Sequence, residues 1–214
     1  MTQAPDRRPI SSRDTGWARW LSRWLADTSI TPNQISLASI AAAALASGAL
    51  WAVGTADGAL RVGLLLLAAL GCQVRLICNL MDGLVAIEAG RQAPDGPFWN
   101  EFPDRIADIV ILVGLGLGLG LPALGWAAAT LAVFTAYTRE LGRSCGLPAD
   151  FCGPMAKPQR MALVTGGALL ALAEPLWSGA GGVLWLTLWA VVLGTALTVA
   201  RRAWRIVRAL HTRA

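Results

Sequence analysis

Two polar stretches interrupt the long apolar runs of this chain and determine how it can fold. NLMDGLVAIEAG spans Asn79 to Gly90, and GPFWNEFPDRIAD spans Gly96 to Asp108. A charged side chain within a bilayer costs about 2.5–3.5 kcal/mol on insertion scales, so such residues usually face an interior cavity or a partner. These carboxylates and amides therefore define the candidate site from which the rest of the chain can be interpreted.

The composition favours a membrane protein over a soluble domain. The chain has 214 residues, of which 55% are hydrophobic and only 14% are charged, with a formal net charge of +5. Basic residues that flank apolar runs are typical of membrane proteins, so we expect lipid and no nucleic acid as the partner of this charge. Of the 18 basic residues, only Lys157 is a lysine.

Hydropathy predicts an all-α, polytopic membrane protein with six transmembrane helices. A bilayer core about 30 Å thick needs roughly 20 helical residues. Six apolar spans meet this length: 34–54, 59–81, 101–121, 122–142, 160–176 and 180–200. Basic residues precede the first span, follow the sixth and occur in alternate links. The positive-inside rule then places both termini on the cytosolic side of the inner membrane.

An amphipathic segment precedes the first span. Five of its apolar residues share one helical face: Trp17, Trp20, Leu21, Trp24 and Leu25. Tryptophans and arginines together are typical of a helix that lies in the membrane interface, although this face could also pack on the rest of the protein. The chain then divides into three parts: a cytosolic N-terminus with the interfacial helix (1–30), a transmembrane domain (31–200) and a basic cytosolic tail (201–214).

Counting along the helices places the two polar stretches at one depth. Twenty residues at 1.5 Å each lead from Arg61 to about Asp82 on the second span, and twenty residues back from Leu121 lead to residues 100–102 on the third. The stripes at this depth contain Asn79 and Asp82 on the second span, and Asn100, Asp104 and Asp108 on the third. We therefore expect the two stripes to meet at the cytosolic boundary.

The residue types in these stripes suggest a metal site. Oxygen ligands without His or Cys favour a hard cation such as Mg²⁺ or Mn²⁺, and Mg²⁺ typically binds one or two carboxylates together with substrate phosphates. The alternative is that the carboxylates form ion pairs with Arg75, Arg105 and Arg139 and bind no metal. The residues alone leave both interpretations open.

The motif resembles the signature of the CDP-alcohol phosphatidyltransferase family, D-x2-D-G-x2-A-R-x8-G-x3-D-x3-D. Here the run is Asn79-x2-Asp82-Gly83-x2-Ala86-Ile87-x8-Gly96-x3-Asn100-x3-Asp104, with every spacing preserved. The positions that depart from the signature are Asn79, Ile87 and Asn100. With two aspartates replaced by near-isosteric amides, the chain resembles a divergent branch of the family. Glu101, or Asp108 one turn after Asp104, could restore one charge. Arg91, one turn after Ile87, could replace the motif arginine.

The resemblance implies transfer of a phosphatidyl group from a CDP-linked lipid, usually CDP-diacylglycerol, to an alcohol in phospholipid biosynthesis, with release of CMP. It implies Asp104 as the general base and five metal-side residues: Asn79, Asp82, Asn100, Glu101 and Asp104. The implied contacts of the CDP-lipid are Asn33, Asp82, Gly83, Ala86 and Gly96. The implied pocket for an acceptor phosphate consists of Arg139, Arg143, Lys157 and Arg160. The alternatives are helix packing for the glycines and ordinary positive-inside charge for the basic residues.

Two further function classes stay open. One is a catalytically silent relative that binds CDP-lipid or acts as a scaffold for lipid enzymes. The other is a small ion or metabolite carrier, although we find no inverted repeat or pair of broken spans. The alcohol cannot be identified from the sequence. Members of the family often form homodimers, but nothing in the sequence reports on oligomerisation.

Overall fold

The computed structural model describes residues 15–91, 93–177 and 181–213, which fold into a bundle of helices without a strand. Seven α-helices follow one another along this part of the chain: α1 (Gly16–Ala26), α2 (Pro32–Ala52), α3 (Gly58–Glu88), α4 (Gly96–Gly118), α5 (Pro122–Ser144), α6 (Lys157–Ala171) and α7 (Gly182–His211). Short 3-10 helices occupy Val53–Thr55 and Glu174–Trp177. The all-α prediction is confirmed. The first 14 residues of the predicted N-terminal region, and most of the predicted link at 177–179, lie outside the described residues.

Three of the described helical segments are long and apolar enough to cross a membrane: Pro32–Thr55, Gly58–Glu88 and Gly182–His211. The other predicted spans correspond to α4 and α5, with 23 residues each, and to α6, with 15. The helices α3 and α7 continue well past residues 81 and 200, where the second and sixth predicted spans end. Hydropathy falls where charged residues begin, but Arg, Ala and Leu are good helix formers and extend the helix. The boundary predicted at residue 200 therefore lies inside one continuous helix.

Local signals set several helix ends. Thr31 caps α2 through a capping box: its Oγ1 accepts a hydrogen bond from the Gln34 N–H at 3.2 Å, and the Gln34 side chain accepts one from the Thr31 N–H at 2.9 Å. Pro32 follows at the first helical position, where its missing N–H costs nothing. Gly90 follows the end of α3 with a φ of 60°, a left-handed conformation that glycine adopts without strain.

The helices alternate in direction, so six helix ends gather at one end of the bundle, here called the site end. The N-termini of α2, α4 and α6 meet the C-termini of α3, α5 and α7 there. Ser36 of α2 contacts Asp82 of α3, for example, and Lys157 of α6 contacts Asp104 of α4. At the opposite end, Arg61 at the start of α3 pairs with the buried Glu174 at 2.8 Å.

Small residues allow the helices to approach closely in the core. A Cβ atom on Gly118 of α4 would lie 2.1 Å from the Leu50 carbonyl oxygen of α2, and one on Gly114 would lie 2.1 Å from Ser47 Oγ. Ser47 Oγ itself donates a hydrogen bond to the Val110 carbonyl at 2.7 Å. The glycine-rich part of α4 is therefore a packing surface against α2.

The apolar face of α1 is divided between two environments. The side chains that pack towards α3 and its neighbours are Ala18, Leu21, Ser22 and Leu25. The three tryptophans of α1 lie on the adjoining side of the helix and are 48–68% exposed. At about 100° per residue, one broad apolar arc can serve both purposes. The helix α1 can therefore pack on the rest of the protein with one part of its apolar face and present its tryptophans to a membrane interface with the other.

Candidate active site

Asp82 lies at the site end of α3 and is almost completely buried. Its Oδ2 accepts a hydrogen bond from Ser36 Oγ at 2.7 Å, and its Oδ1 accepts one from the Gly83 N–H at 2.6 Å. Ser36, in the second turn of α2, was not predicted as a site residue. The feature of the sequence that could have indicated a role for Ser36 is its position: it is a polar residue one turn after Pro32, at the depth of Asp82.

Lys157, the first residue of α6, joins the two polar stripes. Its Nζ donates hydrogen bonds to Asn79 Oδ1 on α3 and to Asp104 Oδ2 on α4. Because one ammonium group reaches both oxygens, Asn79 and Asp104 must lie side by side. The prediction that the stripes meet at one depth is confirmed. Lys157 itself was assigned to an acceptor pocket, whereas the structure places it between predicted metal-side residues.

A fully buried ion cluster lies directly beneath this site. Arg75 Nη2 donates to Asp104 Oδ1 and to the Asp104 carbonyl, both at 3.2 Å, and to Asp108 Oδ1 at 2.8 Å. Arg160 Nη2 contacts Asp108 Oδ2 at 2.5 Å. Arg75, Asp108 and Arg160 are all 0% exposed. Asp108 therefore pairs with two buried guanidinium groups, and Asp104 is the second carboxylate that contacts Arg75, which fixes its orientation.

Glu101 is paired with arginines, and one of them, Arg105, also lies 3.8 Å from Asp104 Oδ2. Glu101 Oε2 accepts from Arg139 Nη2 at 2.7 Å and from Arg105 Nη2 at 3.3 Å. Asn100 is exposed. For Glu101 and Asp104, the alternative of ion pairing with Arg75, Arg105 and Arg139 describes the observed contacts.

The four residues predicted to form an acceptor pocket occupy three places. Arg139 and Arg143 at the end of α5 both contact Glu140, at 2.8 and 3.2 Å. Lys157 lies in the carboxylate site, and Arg160 is enclosed in the cluster below it. The reason is electrostatic, since each cation is held by the nearest carboxylate on its own or an adjacent helix. Sequence spacing did not reveal these pairings.

The link between α5 and α6 is anchored on α7. Arg202 Nε donates to the Cys152 carbonyl at 2.9 Å, and the Met155 N–H donates to Thr198 Oγ1 at 3.0 Å. Burial acts to raise the pKa of Asp150, but hydrogen bonds from the N–H and thiol of Cys152, with Arg205 nearby, hold that pKa below its ordinary value. These contacts fix where α6 begins and hence where Lys157 lies. Arg202 was not predicted as a site residue.

The motif glycines Gly83 and Gly96 border open space. A Cβ atom added to either one would meet no neighbouring atom within 4 Å. Helix packing, the alternative explanation for these glycines, therefore does not apply to them. Ile87 is 49% exposed, and Arg91 donates to the Thr28 and Ile30 carbonyls at 3.1 Å instead of pointing at the site.

The donor set is all oxygen. Within residues 15–91, 93–177 and 181–213, no three side chains of the His, Cys, Asp or Glu type lie close enough together to hold a metal ion. Asp82 and Asp104 nevertheless provide two carboxylates beside the Asn79 amide oxygen. This set fits a hard cation that takes its remaining ligands from water and substrate phosphates.

Two bacterial proteins are similar in sequence to this chain. Identity is 36% over 155 residues with the bifunctional IPC transferase and DIPP synthase of Rubrobacter xylanophilus, which covers 68% of this chain and 33% of that protein. Identity is 31% over 186 residues with the inner membrane protein YnbA of Escherichia coli, which covers 83% of this chain and 86% of that protein. The chain thus spans about a third of the first relative and most of the second. No family profile matches the sequence.

Solved structures of phosphatidylinositol phosphate synthase (PgsA1) from Mycobacterium tuberculosis share the fold. The form with CDP-DAG bound has a TM-score of 0.72 at 18% identity, over 88% of this chain and 92% of that one. The form in complex with manganese and citrate also has a TM-score of 0.72 at 18% identity, over 88% of each chain. The motif, the shared fold and the relative aligned along most of its length together show that this membrane protein belongs to the CDP-alcohol phosphatidyltransferase family.

Proposed function

We propose that this chain transfers a phosphatidyl group from CDP-diacylglycerol to an alcohol and releases CMP, in a reaction that depends on Mg²⁺ or Mn²⁺. One observation carries the proposal: Asn79 and Asp104, motif residues on different helices, lie side by side at a polar site that includes Asp82. The names of the relatives support the reaction class, since they include an IPC transferase and a phosphatidylinositol phosphate synthase with CDP-DAG bound.

In this proposal α2 to α7 are the six transmembrane helices, and the site end faces the cytosol. Basic residues at the site end of α5 and α7 support this orientation, because they include Arg139, Arg143, Arg205 and Arg208. The exposed tryptophans of α1 would lie in the headgroup region, as aromatic side chains do at membrane interfaces. The proposed domain division is then an interfacial N-terminal region (1–30), a transmembrane domain (31–200) and a basic tail (201–214), which begins within α7.

The CDP-lipid would lie against the open surfaces of Gly83 and Gly96. A missing Cβ lets a phosphate or ribose approach the helix backbone closely. Asn33 and Ala86, both half-buried at the site end, are the other proposed contacts. A site at the membrane boundary suits this reaction, because one reactant is a lipid and the other is soluble in water.

Asn79, Asp82 and Asp104 are the proposed metal-side residues. A divalent cation bound there would neutralise charge on the pyrophosphate, and the manganese-bound PgsA1 structure supports such an ion. Ser36 orients Asp82 through its hydrogen bond. Asn100 and Glu101 remain proposed ligands, but Glu101 would first have to leave Arg105 and Arg139.

Asp104 is the proposed general base. The alcohol oxygen attacks the lipid-side phosphorus, its proton passes to an Asp104 carboxylate oxygen, and the phosphorus–oxygen bond to CMP breaks. A carboxylate has about four lone-pair positions, so Asp104 can accept this proton while Arg75 holds Oδ1. Its burial, at 3% exposure, limits competition from water.

The acceptor would enter at the site end of α5. Arg143, at 49% exposure, is accessible there, whereas Arg139 is only 14% exposed and contacts Glu101 and Glu140, which are 42% and 48% exposed. Lys157 would border this entrance from α6. Arg160 no longer belongs to the proposed pocket, since it is enclosed with Asp108. The identity of the alcohol is left to experiment.

The test is CMP release by the purified protein in detergent, with CDP-diacylglycerol, Mg²⁺ or Mn²⁺ and a panel of alcohols. We expect release that needs both metal and one class of alcohol. Asp104→Asn should lower turnover at least about 100-fold, as loss of a general base does, and Asp82→Asn should also abolish activity. Asp57→Asn, an exposed residue at the opposite end, is the matched control.

Two results would contradict the proposal. Unchanged turnover in both Asp82→Asn and Asp104→Asn would remove these residues from the chemistry. Binding of CDP-diacylglycerol without CMP release for every alcohol would instead support the silent relative.

A further inference from the structure

The chain uses lysine once, and it uses it inside the candidate site. Lys157 is the single lysine among 18 basic residues, and its Nζ lies between Asn79 Oδ1 and Asp104 Oδ2. Lysine and arginine are not interchangeable in such a place. The guanidinium group is broad and planar, whereas the ammonium group is a compact point charge with three donors. An ammonium group therefore resembles a small cation in a way that an arginine cannot.

The position of Lys157 is not explained by its own helix. It is the first residue of α6, where the aligned peptide dipoles create a partial positive charge that disfavours cations. Its side chain is only 20% exposed, so it also gives up most of its contact with water. The oxygens of Asn79 and Asp104 are the contacts that compensate both effects.

The charges around Lys157 also suggest that it balances the carboxylates of the site. The family signature has aspartate at four positions, but Asn79 and Asn100 leave only Asp82 and Asp104 charged here. The nearby Glu101 is engaged by arginines, as is the deeper Asp108. Asp104 contacts Lys157 and also the guanidinium groups of Arg75 and Arg105, so the two remaining motif carboxylates call for less divalent cation than four unpaired carboxylates would.

We propose that Lys157 is a built-in cation of this site, which supplies charge that metal ions would otherwise supply. The chain then binds one divalent ion, and Lys157 stays beside that ion. This inference deepens the proposed function and rests on it for the presence of a metal. It concerns how the charge of the site is balanced and can be measured without turnover.

The first test is a titration of the purified protein with Mn²⁺ alone, with unbound Mn²⁺ measured by electron paramagnetic resonance. We expect one Mn²⁺ per wild-type chain. Lys157→Gln should bind Mn²⁺ at least about tenfold more tightly, because a neighbouring positive charge is removed. Arg201→Gln removes an exposed charge on α7 and serves as the matched control, with wild-type binding expected. Two Mn²⁺ ions per wild-type chain, or unchanged binding by Lys157→Gln, would overturn the inference.

The second test uses the wild-type protein and so does not depend on the folding of a variant. Because no other lysine is present, an amine-acylating reagent reports on Lys157 through the mass of the peptide that contains it. We expect slow labelling that saturating Mn²⁺ leaves unchanged or slows further. Faster labelling in Mn²⁺ would show that the metal displaces Lys157, which contradicts its role as a resident cation.

The two proposals can fail separately. CMP release by the wild type, together with Mn²⁺ binding that is indifferent to Lys157, would retain the transferase and remove the built-in cation. The opposite outcome is also distinct. If the wild type binds one Mn²⁺, Lys157→Gln binds it more tightly and no alcohol gives CMP release, the built-in cation is retained and the transferase is not.

Discussion

Replacing Asp108 with asparagine removes the negative charge at the centre of the buried ion cluster. Asp108 lies 2.8 Å from Arg75 Nη2 and 2.5 Å from Arg160 Nη2. The substitution preserves the shape of the side chain but leaves two enclosed guanidinium groups. Asp104 then remains as the buried carboxylate in contact with Arg75. We expect a large loss of stability and a poorly oriented Asp104.

The size of this loss follows from burial. Breaking a buried ion pair by removing one partner costs about 3–5 kcal/mol, because the other charge stays unpaired in a medium of low dielectric constant. At about 2–4 °C per kcal/mol for a chain of this size, the melting temperature should fall by about 6–20 °C. The double variant Asp108→Asn with Arg160→Met has balanced charges again. It should therefore recover about 0.5–3 kcal/mol relative to the single variant.

Thermal unfolding in detergent, followed by the fluorescence of the chain's ten tryptophans, measures both effects. Asp150→Asn is the control, because Asp150 pairs with the half-exposed Arg205 at 3.3 Å, and partly exposed pairs contribute about 1 kcal/mol or less. If Asp108→Asn unfolds within about 2 °C of the wild type, the cluster does not stabilise the bundle as described. A double variant less stable than Asp108→Asn would likewise contradict the charge-balance argument.

Four further predictions concern other parts of the molecule. Gly83→Ala should leave the melting temperature unchanged or raise it, because its Cβ meets open space, but should raise the KM for CDP-diacylglycerol about tenfold. Gly118→Ala, with its Cβ 2.1 Å from a backbone oxygen, should instead lower the yield of folded protein in size-exclusion chromatography. Ser36→Ala removes a 2.7 Å hydrogen bond to Asp82 and should weaken Mn²⁺ binding about tenfold in the same resonance titration. Glu174→Gln should lower the melting temperature by several degrees without changing CMP release per folded molecule, since its partner Arg61 lies about 30 Å along α3 from the site.

The depth of the candidate site could be predicted because helical rise is nearly constant. Counting from Arg61 and from Leu121 placed Asp82 and Asn100–Phe102 at one level, and Lys157 indeed connects Asn79 with Asp104 there. The direction in which each side chain points was predicted within a helix by the same regularity. Neither argument depends on how one helix is rotated relative to another.

The partners of the basic residues could not be predicted for that reason. Arg139 and Arg160 were grouped because the resemblance to the family implied a shared acceptor pocket, yet one contacts Glu101 on α4 and the other is enclosed with Asp108. Rotation of a helix about its axis decides such pairings, and it is set by packing over the whole bundle. The contact of Ser36 with Asp82 depends on the same rotation.

Two layers of charge explain why Asp104 and Asp108, one helical turn apart, have different roles. Both oxygens of Asp108 are engaged by Arg75 and Arg160 without exposure, so Asp108 cannot restore the charge lost at Asn100. Asp104 shares Arg75 but also contacts Lys157, whose side chain is partly exposed. The deeper layer is therefore closed and holds Arg75 in place, while the upper layer stays open to ligands. A site built in this way can exchange metal and substrate at its surface without disturbing the buried charges that orient the proposed base.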